Sequence, residues 1–295
     1  MAGISSTLVK TLREKTGAGV IACKNALVET QGDFEAAVDR LRAVEASKAS
    51  AKADRVATEG LVSLVVDENR GAIVELNTQT DFAARTPAFR EAASTLARLA
   101  LEARGDRDAL LAARAPDGDG RVSDMLLRLS ARTGEHVDLR RAACVSVGAG
   151  AIASYIHGAI APGLGRIGVV VALRSDAGAA HLHGIGRAIA MHIAASAPLW
   201  VSQEHIPPEI LAEKRMALLE QAEQTGKPPA IVAKMVEGRL QKYFDEVVLE
   251  RQPFVLNPDQ RVGEALREAA AATGPASIGA FVRFKAGEGL VKPAE

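Results

Sequence analysis

Apolar residues open the chain at helical spacing. Ile4, Leu8, Val9 and Leu12 share one face of a segment from Ser5 to Lys15, which the cluster Thr16-Gly-Ala-Gly19 stops. A second segment runs from Val20 to Glu29, before Gly32. A third opens at Asp33, a natural N-cap, and carries Phe34, Val38 and Leu41 on one side. Together these predict a small three-helix bundle, marginal in stability by its size. The stretch Ala43 to Ala57 is rich in Ala, Lys and Glu and poor in large apolar residues, which predicts a partly helical linker.

From Gly60 the period shortens. Leu61 to Val66 and Ala72 to Leu76 are β-rich runs separated by the turn-forming Asp67-Glu-Asn-Arg-Gly71, which predicts a hairpin. The chain then passes through Thr78-Gln-Thr-Asp-Phe-Ala-Ala-Arg85 and Pro87 into a helical pattern with Phe89, Leu96 and Leu99. A helix is expected near Val122 to Ala131, and Val137 to Val147 reads as mixed strand and connection. The pattern then recurs. Ala153 to His157 leads through a glycine-rich turn into Arg166 to Leu173 and a helix ending near Ser196, so a strand–turn–strand–helix unit is duplicated.

After Pro198 two charged helical patterns, Pro208 to Glu223 and Pro229 to Phe244, flank Thr225-Gly-Lys-Pro-Pro229. Their apolar stripe, Leu211, Leu218, Ile231, Met235 and Phe244, is sparse, which predicts a protruding arm. Ser277 to Phe284 returns to strand character and should rejoin the sheet. The fold class expected is α+β. A three-helix domain and linker cover residues 1–55, and one core subdomain covers 56–149. A related subdomain covers 150–295 and carries an antiparallel helical hairpin at about 198–246.

Composition narrows the chemistry. Lys plus Arg and Asp plus Glu number 36 each, so no basic surplus favours nucleic acid. Cys23 and Cys144 are far apart and form neither a disulfide framework nor a zinc pattern. No leader pattern and no bilayer-length apolar run is visible, so a soluble cytoplasmic protein without membrane association is expected. Gly163-Leu-Gly-Arg-Ile-Gly168 matches a dinucleotide fingerprint in letters only, because a strand rather than a helix follows it. Asp117-Gly-Asp-Gly120 lacks the closing glutamate of a calcium loop. His181, His183, His192 and His205 complete no ligand set, and Cys144 reads as a structural thiol. Neither metal nor cofactor is expected, and the lack of a catalytic constellation points to a binding protein.

Few residues stand out as contacts. Val20 and Ile21, at a helix start, read as core by residue type, and Lys24 reads as solvated. His157 ends a strand, a position open to a satisfied edge histidine or a contact. Phe82 sits where strand gives way to helix, just after the N-cap-like pair Thr80-Asp81. Turned inward, it would staple the junction. Turned outward, with only Ala83 and Ala84 beside it, it would be a wedge for a partner. Residue type leaves both open.

Leu12-Arg-Glu-Lys-Thr-Gly-Ala-Gly19, Cys23-Lys-Asn-Ala-Leu27 and Thr78-Gln-Thr-Asp-Phe82 resemble the signatures of the bacterial elongation factor Ts family. Members of that family are guanine-nucleotide exchange factors for elongation factor Tu, and the resemblance extends over essentially the whole chain. Supporting stretches include Met191 to Ser196, Lys234 to Arg239 and Gln252 to Val255. The resemblance implies a ubiquitin-associated-like helical domain, a core of two related subdomains and a coiled-coil protrusion. It implies that Phe82, assisted by Asp81, enters the nucleotide domain of elongation factor Tu and promotes exchange without covalent catalysis. Val20 and Ile21 would press on the same domain with Lys24 near them, and His157 would face another domain. Leu12 and Thr80, from the two signatures, are grouped with these contacts. Ala83 replaces a frequent valine, and Val20 and Ile21 replace frequent methionines; all remain apolar. Some members continue into a further helical tail that touches the partner, and a chain ending at Glu295 is expected to lack that contact. A homodimer or a 2:2 complex stays open, as does a different class, an adaptor whose helical domain binds peptide or ubiquitin-like partners.

Overall fold

The computed structural model describes residues 4–50 and 56–291. Helix α1 (Ser6–Thr16) starts where the Ser5 hydroxyl accepts from the Leu8 amide at 3.1 Å, and it stops at Gly17, whose φ of 74° suits glycine. Helix α2 (Val20–Glu29) and helix α3 (Phe34–Ser50) complete a bundle around Leu12, Cys23, Leu27, Val38 and Leu41. Asp33 caps α3 through the Ala36 amide at 3.0 Å. Much of the expected linker instead extends α3 to Ser50, because Ala, Lys and Glu are strong helix formers; residues 51–55, where the domain boundary was drawn, lie outside the described residues.

Strands β1 (Glu59–Asp67) and β2 (Arg70–Thr78) form an antiparallel hairpin in register from Glu59↔Thr78 to Asp67↔Arg70. Helices α4 (Asp81–Ala84), α5 (Pro87–Glu102), α6 (Arg107–Ala112) and α7 (Val122–Thr133) follow, and β3 (Asp138–Ser146) pairs with β2. The short α6 was not anticipated, and the segment read as mixed strand and connection is continuous strand from Asp138 to Ser146. The second half repeats the order. It comprises β4 (Gly150–His157), the two-residue β5 (Leu164–Gly165), β6 (Ile167–Arg174) and α8 (His183–Ser196). Next come the arm helices α9 (Pro208–Glu223) and α10 (Pro229–Val247), a small hairpin of β7 (Pro253–Phe254) and β8 (Asn257–Arg261), then α11 (Val262–Ala270) and β9 (Ser277–Lys285).

In each half the second strand is central: β2 lies between β1 and β3, and β6 between β4 and β9. The sheets pack face to face with helices outside, giving helix, sheet, sheet and helix layers. Alternation along β2 sends Ala72, Val74 and Leu76 to the α5–α7 side and Ile73 to the other sheet; along β6, Val169, Val171 and Leu173 face α8 and α11 while Val170 and Ala172 face the first sheet. Burial on both faces explains the nearly unbroken apolar runs.

Two glycines reveal the pseudo-symmetry. A Cβ on Gly71 would lie 2.4 Å from Val170, and one on Gly168 would lie 2.6 Å from Val62, so each sheet clears room for the other at matching positions. A bulge follows at matching positions as well, after Glu75 and after Ala172. At the first bulge Arg140 and Arg141 both reach the fully buried Glu75, which also accepts from the Gly287 amide at 2.8 Å.

The arm packs through Leu218, Ala222, Val232, Val236, Leu240 and Phe244. Ile231, expected in this stripe, is 45% exposed because the packed face of α10 is one residue further on.

Candidate functional site

The end of β2 runs straight into Thr78-Gln-Thr-Asp-Phe82. Thr80 is the N-cap of α4 and its hydroxyl accepts from the Ala83 amide at 3.3 Å. Ala83 and Ala84 take the inner face of that single turn and are buried, while the aromatic slot in the core is filled by Phe89, which is fully buried. Phe82 is left pointing outward and is 80% exposed. Burying such a ring is worth roughly 1.5–3 kcal/mol, so the exposed one holds that much unused for a partner. Beside it Asp81 bonds Arg85 at 3.0 Å.

Sequence reasoning missed the residue that fixes this turn. Glu135 follows Gly134, the left-handed cap of α7, and its Oε2 accepts from the Thr78 hydroxyl at 2.8 Å and from the amides of Gln79 and Thr80 at 3.1 and 2.9 Å. Its Oε1 accepts from the Thr80 hydroxyl at 2.6 Å. Burial works against the carboxylate's charge, but the bonds from Thr80, Thr78 and Gln79 outweigh it and hold the group below the usual carboxylate range. The glycine stop before Glu135 is visible in the sequence; its target, more than fifty positions upstream, is not.

Three clefts surround the mount of the ring. Thr16 and Gly17, Ala88 and Arg132 line one, and Ala88 and Arg132 also line the cleft that contains Phe82. The turn leading to Val20 and Ile21 therefore lies on one side of the Phe82 mount. On the other, Asp81, Arg85, Ile160 and Arg166 line a common cleft, and Arg166 bonds Glu59 at 3.0 Å. This brings the loop after His157 to the edge of the core where Asp81 sits. Arg42 of α3 forms an ion pair with Asp119, which attaches the helical bundle to the loop before α7.

Val20 and Ile21, read as core by residue type, are 53% and 77% exposed, because Leu12, Cys23 and Leu27 already fill the bundle interior. Leu12, grouped with the contacts, is fully buried; it supports the turn and cannot touch a partner. Lys24 and His157 are exposed, and Thr80 is half-buried as the cap beneath Phe82. Burial, partly offset by Arg70 and the Gly71 amide, pushes the Cys144 thiol up, which disfavours the thiolate.

His192 is buried against Gln252 at 2.8 Å, with its Nδ1 accepting from the Val255 amide at 3.2 Å. Among the described residues no helix is long and apolar enough to cross a membrane.

Fold and surface together define an α+β protein that displays an aromatic and two aliphatic side chains on fixed turns, a surface suited to contact with another protein. The family model described as Elongation factor TS matches residues 79–288. Relatives named Elongation factor Ts include one from Caulobacter sp., 48% identical over 100% of this chain and 96% of the relative. Those from Rhodospirillum rubrum and Parvibaculum lavamentivorans are 47% and 46% identical, each over 99% of this chain and 95% of the relative. The chain belongs to the elongation factor Ts family.

Proposed function

We propose that the protein binds elongation factor Tu·GDP and promotes release of GDP so that GTP can rebind. The observation that carries this reading is the 80% exposure of Phe82 on a turn held by its own cap and by Glu135. The ring enters the nucleotide domain of the partner, Asp81 assists beside it, and phosphate and magnesium contacts there are disturbed. No covalent bond forms. Exchange is a linkage effect: the factor binds the empty partner more tightly than the loaded one, and nucleotide weakens the factor's hold by the same factor. Shifting a two-state balance from 1:99 to 99:1 needs about 5.5 kcal/mol, more than one ring supplies. Val20 and Ile21 with Lys24 on one side, and His157 on the other, provide the further contacts.

Stopped-flow release of a fluorescent GDP analogue from purified elongation factor Tu tests the reading. Wild type should accelerate release, and Phe82→Ala should lose at least about 2 kcal/mol of that effect while folding normally. A wild-type rate for Phe82→Ala would remove the ring from the mechanism. The exposure of Val20, Ile21 and Val28 on α2 supports a second reading, an adaptor for peptide partners. That reading requires a partner whose capture by the full chain is lost with Ile21→Ser and kept with Phe82→Ala.

A further inference from the structure

A single helical turn such as α4 does not hold its own geometry, since nucleating a helix fixes several dihedrals for one hydrogen bond. The direction of Phe82 must therefore be set from outside the turn. The Thr78 hydroxyl and the Gln79 and Thr80 amides converge on one oxygen of Glu135, while the Thr80 hydroxyl donates to the other. Successive amides aimed at one point form a small anion nest, and here the anion is a side chain of the same molecule. Glu135 is itself anchored: its amide donates to the Thr133 hydroxyl at 3.4 Å, and the Val137 amide donates to the Ser130 hydroxyl at 3.0 Å. The carboxylate thus ties the turn that carries Phe82 to the end of α7.

We propose that Glu135 is the positioning residue of the exchange surface, whose carboxylate locks Thr78, Gln79 and Thr80 so that the Phe82 ring is presented outward in one pose. This rests on the exchange reading above. Glu135 is half-buried beside Phe82, and both of its carboxylate oxygens are engaged by the turn, so its loss leaves the outer contacts of Val20, Ile21 and His157 in place. The factor should still dock while the ring enters poorly. Misplacing a working group by about 1 Å costs up to a hundredfold in rate, so the effect belongs in the maximal release rate rather than in half-saturation.

The test combines GDP release from elongation factor Tu at saturating factor with amide hydrogen exchange on the free protein, for wild type, Glu135→Ala and Glu135→Gln. For Glu135→Ala the maximal rate should fall about tenfold or more, with half-saturation shifted less than about threefold. Amide protection at Gln79 and Thr80 should fall roughly tenfold, while Val74 within β2 stays protected. Glu135→Gln keeps the shape and one acceptor oxygen, so it should restore part of both readouts.

A wild-type maximal rate in Glu135→Ala overturns the proposal, as does unchanged protection at Gln79 and Thr80. If the alanine variant does not fold, Glu135→Gln decides, and wild-type values for it in both readouts overturn the proposal. If wild type itself fails to accelerate release, the exchange reading is lost. The lock is then judged by amide protection alone, where unchanged values overturn it too.

Discussion

The two halves of the core share a central-strand arrangement and contrast sharply at one junction. In each, a central strand leads through a polar step to a helix that covers the outer face of its sheet. The step after β2 carries Phe82 on α4, which is 80% exposed; the step after β6 ends in Leu182, which is fully buried. In the first half the step is held by the carboxylate of Glu135, whereas in the second the Ser175 amide donates to the Ala149 carbonyl and the chain turns in toward α8. The central strand and its covering helix are common to both halves, and the contrast at this step lies in a few side chains at the strand's end. A duplicated unit can keep its packing in both copies and present an exposed aromatic at this step in only one.

The sharpest way to break that comparison is to truncate both junction residues. Leu182→Ala should destabilise by about 2–5 kcal/mol, and Phe82→Ala should change stability by no more than roughly 0.5 kcal/mol, both read from urea unfolding. Equal losses would mean that the two steps are not opposites. The equivalence of the halves is tested next by Gly71→Ala and Gly168→Ala, each expected to cost about 1–3 kcal/mol because the added methyl meets the facing sheet. If only one of them destabilises, the symmetric account of the interface fails.

A smaller effect distinguishes the second half by its histidine. Burial holds His192 below its ordinary range despite the bond to Gln252. The bonding assigns a neutral ring in which Nε2 donates to Gln252 and Nδ1 accepts from Val255. A depressed folded-state value means that stability is complete above the unfolded value near pH 6.5 and is lost as pH falls below it. Melting followed through Trp200, the single tryptophan, should therefore shift to lower temperature between pH 7 and pH 5. A melting point constant across that range would reject the neutral assignment. A small loss is also expected at the bundle's attachment, where Arg42→Ala should cost no more than about 1 kcal/mol in urea unfolding because the pair with Asp119 is partly exposed.

Much of this was legible in advance, for identifiable reasons. Glycine and proline mark where α1 stops and where the arm helices begin, and residues buried on both sides write the apolar runs of β2 and β6. These are local or periodic signals. The stripe of α10 was misplaced by one residue because neighbouring Ile231 and Val232, and Met235 and Val236, offer two nearly equal apolar faces. Val20 and Ile21 were misjudged because residue type says what burial would be worth, not whether room remains inside.

The sequence alone therefore determined the order of most helices and strands, the duplication and the family signatures, since each is written in spacing along the chain. Only the tertiary structure decided which way Phe82 points and what holds it there. That outcome depends on Phe89 occupying the core and on Glu135 arriving from the far end of α7. Direction and burial are set by contacts between residues distant in sequence, and no local pattern encodes them.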